Sequence, residues 1–224
     1  DNSNLRTAKR VKNDEFYTRY EDIEKEISHY IKHFENKVVL CNCDDPFESN
    51  FCKYFLRNFN TLKLKRLICT SYSSSKMVSL SKKLRDKDNK RLTSKNGYVL
   101  DVTSFIDDEN VTDKQIYEFL NLNKCIKKLD GDGDFQSGEC ITYLKKCDIV
   151  VTNPPFSLFK EFVSLIMKHQ KKFLIIGNQN ALTYKEIFPL LMTDKLWLGN
   201  KSGDMAFKVP EDYEPRETRY WQDE

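Results

Sequence analysis

The sequence predicts an α/β fold with a mainly parallel central sheet and helices on both faces. Three observations predict it. Short β-rich runs alternate with amphipathic helical patterns, the runs are apolar at consecutive positions, and 224 residues suffice for one sizeable core. Taken in order, the first helical pattern spans 21–35, and a strand at 37–43 carries Val38, Val39, Leu40 and Cys41. A helix at 50–59 and a strand at 66–70 follow, then helices at 113–121 and 138–145. The strand at 148–152 leads to a helix at 159–169, where Phe159, Phe162, Val163 and Ile166 fall at i, i+3, i+4 and i+7. A strand at 172–177, a helix at 185–192 and strands at 196–199 and 205–209 complete the pattern.

Composition narrows the function classes. Hydrophobic residues make up 39% and charged residues 32%, with fifteen Phe and eleven Tyr, more aromatic mass than a disordered chain carries. No apolar run approaches the roughly 20 residues of a membrane helix, so no membrane association is expected. Seven cysteines, an odd number without framework spacing, and no signal peptide predict reduced thiols in a cytoplasmic protein. Cys41, Cys43 and Cys52 offer sulfur ligands, but no matching Cys-x-x-Cys or Cys/His cluster follows, so they read as small buried residues. His29 and His33 read as a solvated helix face, and no metal is expected.

Charge is unevenly spread. The net +3 conceals a stretch at 76–99 in which eight cations (Lys76, Lys82, Lys83, Arg85, Lys87, Lys90, Arg91, Lys95) face only Asp86 and Asp88. It reads as an exposed insert, either a solvated excursion or an arm that contacts phosphates. A single domain is expected over 10–209, followed by a polar tail at 210–224. The chain starts at Asp1 without a methionine, and both ends read as cuts in a longer polypeptide.

The sharpest chemical feature is Asp148-Ile-Val-Val-Thr-Asn153-Pro154-Pro155-Phe156. A buried strand runs into two prolines at its carboxyl end, where ligands sit in open α/β sheets. The prolines remove two N–H donors and fix the backbone, which leaves carbonyl acceptors to face a cleft. The Asn153 side-chain oxygen and the Pro154 carbonyl suit the two hydrogens of an exocyclic amine, and Phe156 suits the face of its ring. The same residues would also make a rigid strand-to-helix turn.

This motif resembles the Asn-Pro-Pro-Phe signature of amino-methyltransferases acting on N6 of adenine. With Asn13-Asp-Glu-Phe-Tyr-Thr18 and Gly133-Asp-Phe135 in the same order, the chain is similar to EcoRI-type adenine-specific DNA methyltransferases from about residue 10 to 209. The resemblance implies a Rossmann-like class I methyltransferase fold, S-adenosylmethionine as cofactor, double-stranded DNA as substrate and a cognate restriction endonuclease as a candidate partner. It implies catalytic roles for Asn153, Pro154, Pro155 and Phe156. It places Phe16, Tyr17 and Thr18 at the methionine end of the cofactor, and Asn42, Asp44 and Asp45 in the loop after the first strand. It places Thr70 after the second strand, and Asp134 and Phe135 at the cofactor adenine. Other amine substrates, RNA adenine or a protein glutamine, remain open, as does a non-catalytic binding domain.

The chain departs from the family pattern at the first loop. No glycine occurs from Lys37 to Tyr54, although that turn usually carries one. Aspartate tolerates left-handed backbone and is expected to replace it there. The acidic loop also favours a cationic cofactor over a pyrophosphate. Asp130-Gly-Asp132-Gly-Asp134 opens like a calcium loop, but its sixth position is Phe135 and its twelfth Ile141, so calcium is rejected.

Overall fold

The computed structural model describes residues 17–43, 49–72, 96–106, 110–200 and 207–208. Phe16, Asp44, Asp45, the basic segment 76–95 and the tail 210–224 lie outside the described residues. In chain order the elements are β1 (Tyr17–Thr18), α1 (Tyr20–Ile27), β2 (Val38–Asn42), α2 (Asn50–Arg57), β3 (Arg66–Ser71), β4 (Tyr98–Val102), α3 (Asp113–Leu122) and β5 (Ile126–Lys128). They continue with α4 (Gly138–Lys146), β6 (Ile149–Thr152), α5 (Phe159–Lys168), β7 (Lys172–Ile175), α6 (Phe188–Met192) and β8 (Phe207–Lys208).

Six strands form one sheet in the order β5-β4-β3-β2-β6-β7. β2 pairs in parallel with β3 and β6, and β6 with β7. β4 is antiparallel to both β3 and β5, so it alone runs against the other five. Side chains alternate across a strand, and here both faces are covered. Val39, Cys41, Leu67, Cys69 and Val151 pack with Ile23, Phe51, Phe55 and Ile116 from α1, α2 and α3. Leu40, Ile68 and Val150 pack with Leu144, Phe162 and Ile166 from α4 and α5. Two-sided burial explains the unbroken apolar runs in β2, β3 and β6. β7 is only half-buried, as befits an edge strand of the described sheet.

Side chains also fix the register of β2 against β6. The Val38 amide donates to Asp148 Oδ2 at 2.8 Å at one end. At the other end the Thr152 hydroxyl donates to the Asn42 carbonyl. The β2–β6 boundary is where the strand order reverses, because the chain leaves β2 toward β3 and later returns to β6 on the other side. The crevice at such a switch point is the expected ligand site.

Four expectations need correction. The insert ends earlier than residue 99, because Tyr98 and Val99 are buried in β4. β4 carries Asp101 inside the sheet, where Arg66 donates to its two oxygens at 2.7 and 2.6 Å. Residues 196–199 form no strand; Trp197 and Leu198 are exposed, and no described strand pairs with them. The first helix is α-helical only to Ile27 and tightens into a 3₁₀ turn over Ser28–His33. Of the run at 205–209, Phe207–Lys208 pair antiparallel with β1 rather than joining the main sheet.

Candidate active site

The carboxyl edges of β2, β3 and β6 meet at the switch point and gather most of the described residues expected there. Asn42 ends β2, and its register partner across the sheet is Thr70 of β3. Thr152 ends β6 and, through its bond to the Asn42 carbonyl, holds the following Asn153-Pro-Pro-Phe turn over β2. Asn42, Thr70 and Thr152 are each at most 1% exposed. They occupy alternate positions after Leu40, Ile68 and Val150, so their side chains share the face covered by α4 and α5.

The turn is rigid for local reasons. Pro155 sits at φ −55° and ψ 125°, and its carbonyl accepts from the Leu158 amide at 3.0 Å, closing a 3₁₀ turn over Phe156–Leu158. α5 then begins at Phe159, whose ring is buried. Pro154 is buried and Phe156 half-buried. The Asn153 side-chain oxygen lies beneath the surface, so a group that meets it must enter the protein.

Three side chains test whether a polar cofactor fits. Thr18 Oγ1, Asn42 Oδ1 and Thr70 Oγ1 are buried and make no hydrogen bond among the described residues. Burying such groups unpaired costs about 1–3 kcal/mol each. Three at residues expected to meet one ligand fit a molecule rich in hydroxyl, amine and carboxylate groups. Thr18 is placed by the Asn50 side chain at the start of α2, which donates to the Thr18 carbonyl at 2.8 Å.

Cys43, the last described residue before the glycine-free loop, is itself left-handed, at φ 61°; the aspartates expected to take that conformation lie outside the described residues. The structure also separates Asp134 from Phe135. Asp134 is exposed, and its Oδ1 accepts from the Gln136 amide at 2.9 Å. Phe135 is 3% exposed and packs edge-on against Phe162 with ring centroids 5.1 Å apart. Its ring anchors the loop in the core.

Sequence reasoning missed two features of this edge. Thr152 carried no motif of its own. Tyr72, directly after β3, forms a hydrogen bond with Asp132. Burial raises the Tyr72 phenol above its usual range, and the Asp132 and Asp134 carboxylates add to the rise. The available signal was the pair of glycines, Gly97 and Gly133, in a glycine-poor chain.

A cavity of about 330 Å³ opens between α1 and β7, lined in part by Thr18, Asp22, Phe51, Phe159, Ile176 and Trp197. Of the expected site residues that are described, Thr18 alone is among its lining. Cys41, Cys52 and Cys69 are fully buried core residues, with Cys69 Sγ 3.0 Å from Cys52 Sγ, whereas Cys43, also expected to be buried, is half-buried. No described helix is long and apolar enough to cross a membrane.

The family model for the adenine-specific methyltransferase EcoRI matches residues 4–224. The Type II methyltransferase M.EcoRI of Escherichia coli is 46% identical over 215 residues, covering 95% of this chain and 60% of that protein. A Type II methyltransferase of Mycoplasma genitalium is 40% identical over 210 residues, covering 92% and 54%. The Type II methyltransferase M.MpnI of Mycoplasma pneumoniae is 37% identical over 217 residues, covering 95% and 57%. The chain thus spans a little over half the length of these relatives. No solved structure matches it.

Proposed function

The chain belongs to the EcoRI family of adenine-specific methyltransferases, and on that premise we propose that it methylates N6 of adenine in double-stranded DNA, with S-adenosylmethionine as donor. The observation that carries this reading is the Asn153-Pro-Pro-Phe turn, held by Thr152 over the Asn42 end of β2 at the switch point.

When bound, the cofactor supplies an electrophilic sulfonium methyl. Thr18, Asn42 and Thr70 would hold its polar groups, together with Asp134 and with Phe16, Tyr17, Asp44 and Asp45. The nucleophile is a poor one, because the N6 lone pair is delocalised into the purine. Asn153 Oδ1 and the Pro154 carbonyl would accept the two N6 hydrogens and draw the nitrogen toward tetrahedral geometry as the N–CH3 bond forms and the donor's S–CH3 bond breaks, its electron pair staying on the departing thioether sulfur. Positive charge develops on N6 only in the transition state, where fixed acceptors count most. One N6 proton then leaves to solvent, so no strong base is required. Pro155 holds the turn, and Phe156 packs on the ring.

The buried position of Asn153 Oδ1 favours extrusion of the target base, since N6 inside a duplex cannot reach it. The segment 73–95 also supports a DNA partner. It leaves the described fold at Tyr72 and returns at Asn96, and Ser71 and Tyr98 are register partners at the same edge as Asn153. A strongly basic segment tethered at that edge suits a polyanion.

Radiolabelled methyl transfer from S-adenosylmethionine to DNA, RNA and protein, run side by side with the intact protein, tests the reading. Label in DNA adenine is expected. Label confined to RNA or to protein glutamine would replace the substrate, and an absence of cofactor binding would overturn the enzyme.

A further inference from the structure

β3 ends in Thr70 and Ser71 and is followed by Tyr72, so this end of the strand presents only hydroxyls at the site. Another part of the chain brings carboxylates to the same place. The loop 129–134 is fastened to the start of β4 by backbone bonds, Gly97 amide to Gly131 carbonyl at 2.9 Å and Leu129 amide to Gly97 carbonyl at 2.8 Å. The Asn96 side chain donates to the Leu129 and Asp130 carbonyls at 3.0 and 2.9 Å. Gly133 lies so close to β3 that a Cβ there would stand 2.2 Å from the Ser71 carbonyl oxygen, and its φ is +86°. A Cβ on Gly97 would in turn stand 2.5 Å from the Gly133 Cα. Backbone packs on backbone, and Asp132 is carried to Tyr72.

We propose that Asp132 supplies the carboxylate that takes the cofactor's ribose hydroxyls. This rests on the cofactor reading given above. Asp132 Oδ1 accepts from the Asp134 amide at 3.1 Å, which fixes the carboxylate's direction, and Tyr72, directly after β3, buttresses it. A carboxylate has about four lone-pair sites, so acceptor capacity remains for a vicinal diol. An independent observation points to a ligand here. Thr70 Oγ1, one residue before Ser71, is buried without a hydrogen-bond partner on the sheet face that Phe135 packs against. The competing acid of β4, Asp101, is held by Arg66 at both oxygens.

Calorimetry on the intact protein with S-adenosylhomocysteine and with its 2′,3′-dideoxyribose analogue tests the assignment. Asp132→Asn keeps the Oδ1 acceptor and removes the charge. It is expected to weaken S-adenosylhomocysteine about tenfold and to leave the analogue unchanged. Tyr72→Phe leaves the loop's backbone bonds intact and is expected to give a smaller loss on the same ligand alone. Equal losses on both ligands, or a loss on neither, would overturn the proposal. A wild-type protein that binds neither ligand would overturn the cofactor reading, and this proposal with it.

Discussion

Cys43, at the end of β2, holds a left-handed position at φ 61°. For an L-residue with a Cβ that conformation costs roughly 1–2 kcal/mol, and a β-branched side chain makes it worse. Cys43→Val is therefore expected to lower Tm by roughly 3–6 °C, whereas Cys43→Gly should not lower it. Equal melting of the two variants in scanning calorimetry would show that the turn is made elsewhere. Not every residue at this edge was legible in the sequence. Asn153 was singled out by its motif at a strand end, whereas Asn42 and Thr70 were expected only from the family resemblance. The seat of Phe135 on Phe162 was not legible, because that partner lies on a distant helix. Asp132 was passed over because Tyr72 meets it only after the strands pair.

Elements were legible where burial left a local mark. β2, β3 and β6 are covered on both faces, so their apolar runs are unbroken and could be recognised without knowledge of their neighbours. β4 was hidden because it follows a charged stretch and contains Asp101, which is tolerable in a sheet only because Arg66 of β3 pairs with it. β5 has three residues, two of them lysines. Residues 196–199 are apolar enough for a strand yet have no described partner, and strand formation depends on pairing as much as on propensity. The loop between β5 and α4 gives the prediction at this scale. Gly133→Ala is expected to destabilise the protein by about 1–3 kcal/mol, because its backbone is left-handed and a Cβ would meet Ser71. Gly131→Ala, where a Cβ meets nothing within 4 Å, should melt like wild type. A Gly133→Ala protein as stable as Gly131→Ala would contradict the packing of this loop on β3.

At the scale of the whole molecule, the weak net charge of +3 arises from a basic segment offset by a slightly acidic body. The segment is tethered at the edge that carries Asn153, a distribution suited to an enzyme that holds a polyanion beside a cationic cofactor. The core sets the response to alkali. Burial pushes the Tyr54 phenol from its usual 10.0 up to about 12, and the Cys147 thiol from 9.0 up to about 12. Both groups keep their protons in the folded state after the unfolded chain has released them. The stability they contribute is complete below about pH 9 and is lost as pH rises toward 12. Tm should fall across that window, and less steeply in Tyr54→Phe. An unchanged slope in that variant would remove Tyr54 from the account.

The central claim is that the Asn153 turn methylates adenine in DNA. Its most direct test is mass spectrometry of nucleosides from DNA incubated with the intact protein and S-adenosylmethionine. Wild-type protein should produce N6-methyladenine, while Asn153→Ala should produce none and still bind cofactor. N6-methyladenine formed undiminished by Asn153→Ala would contradict the claim.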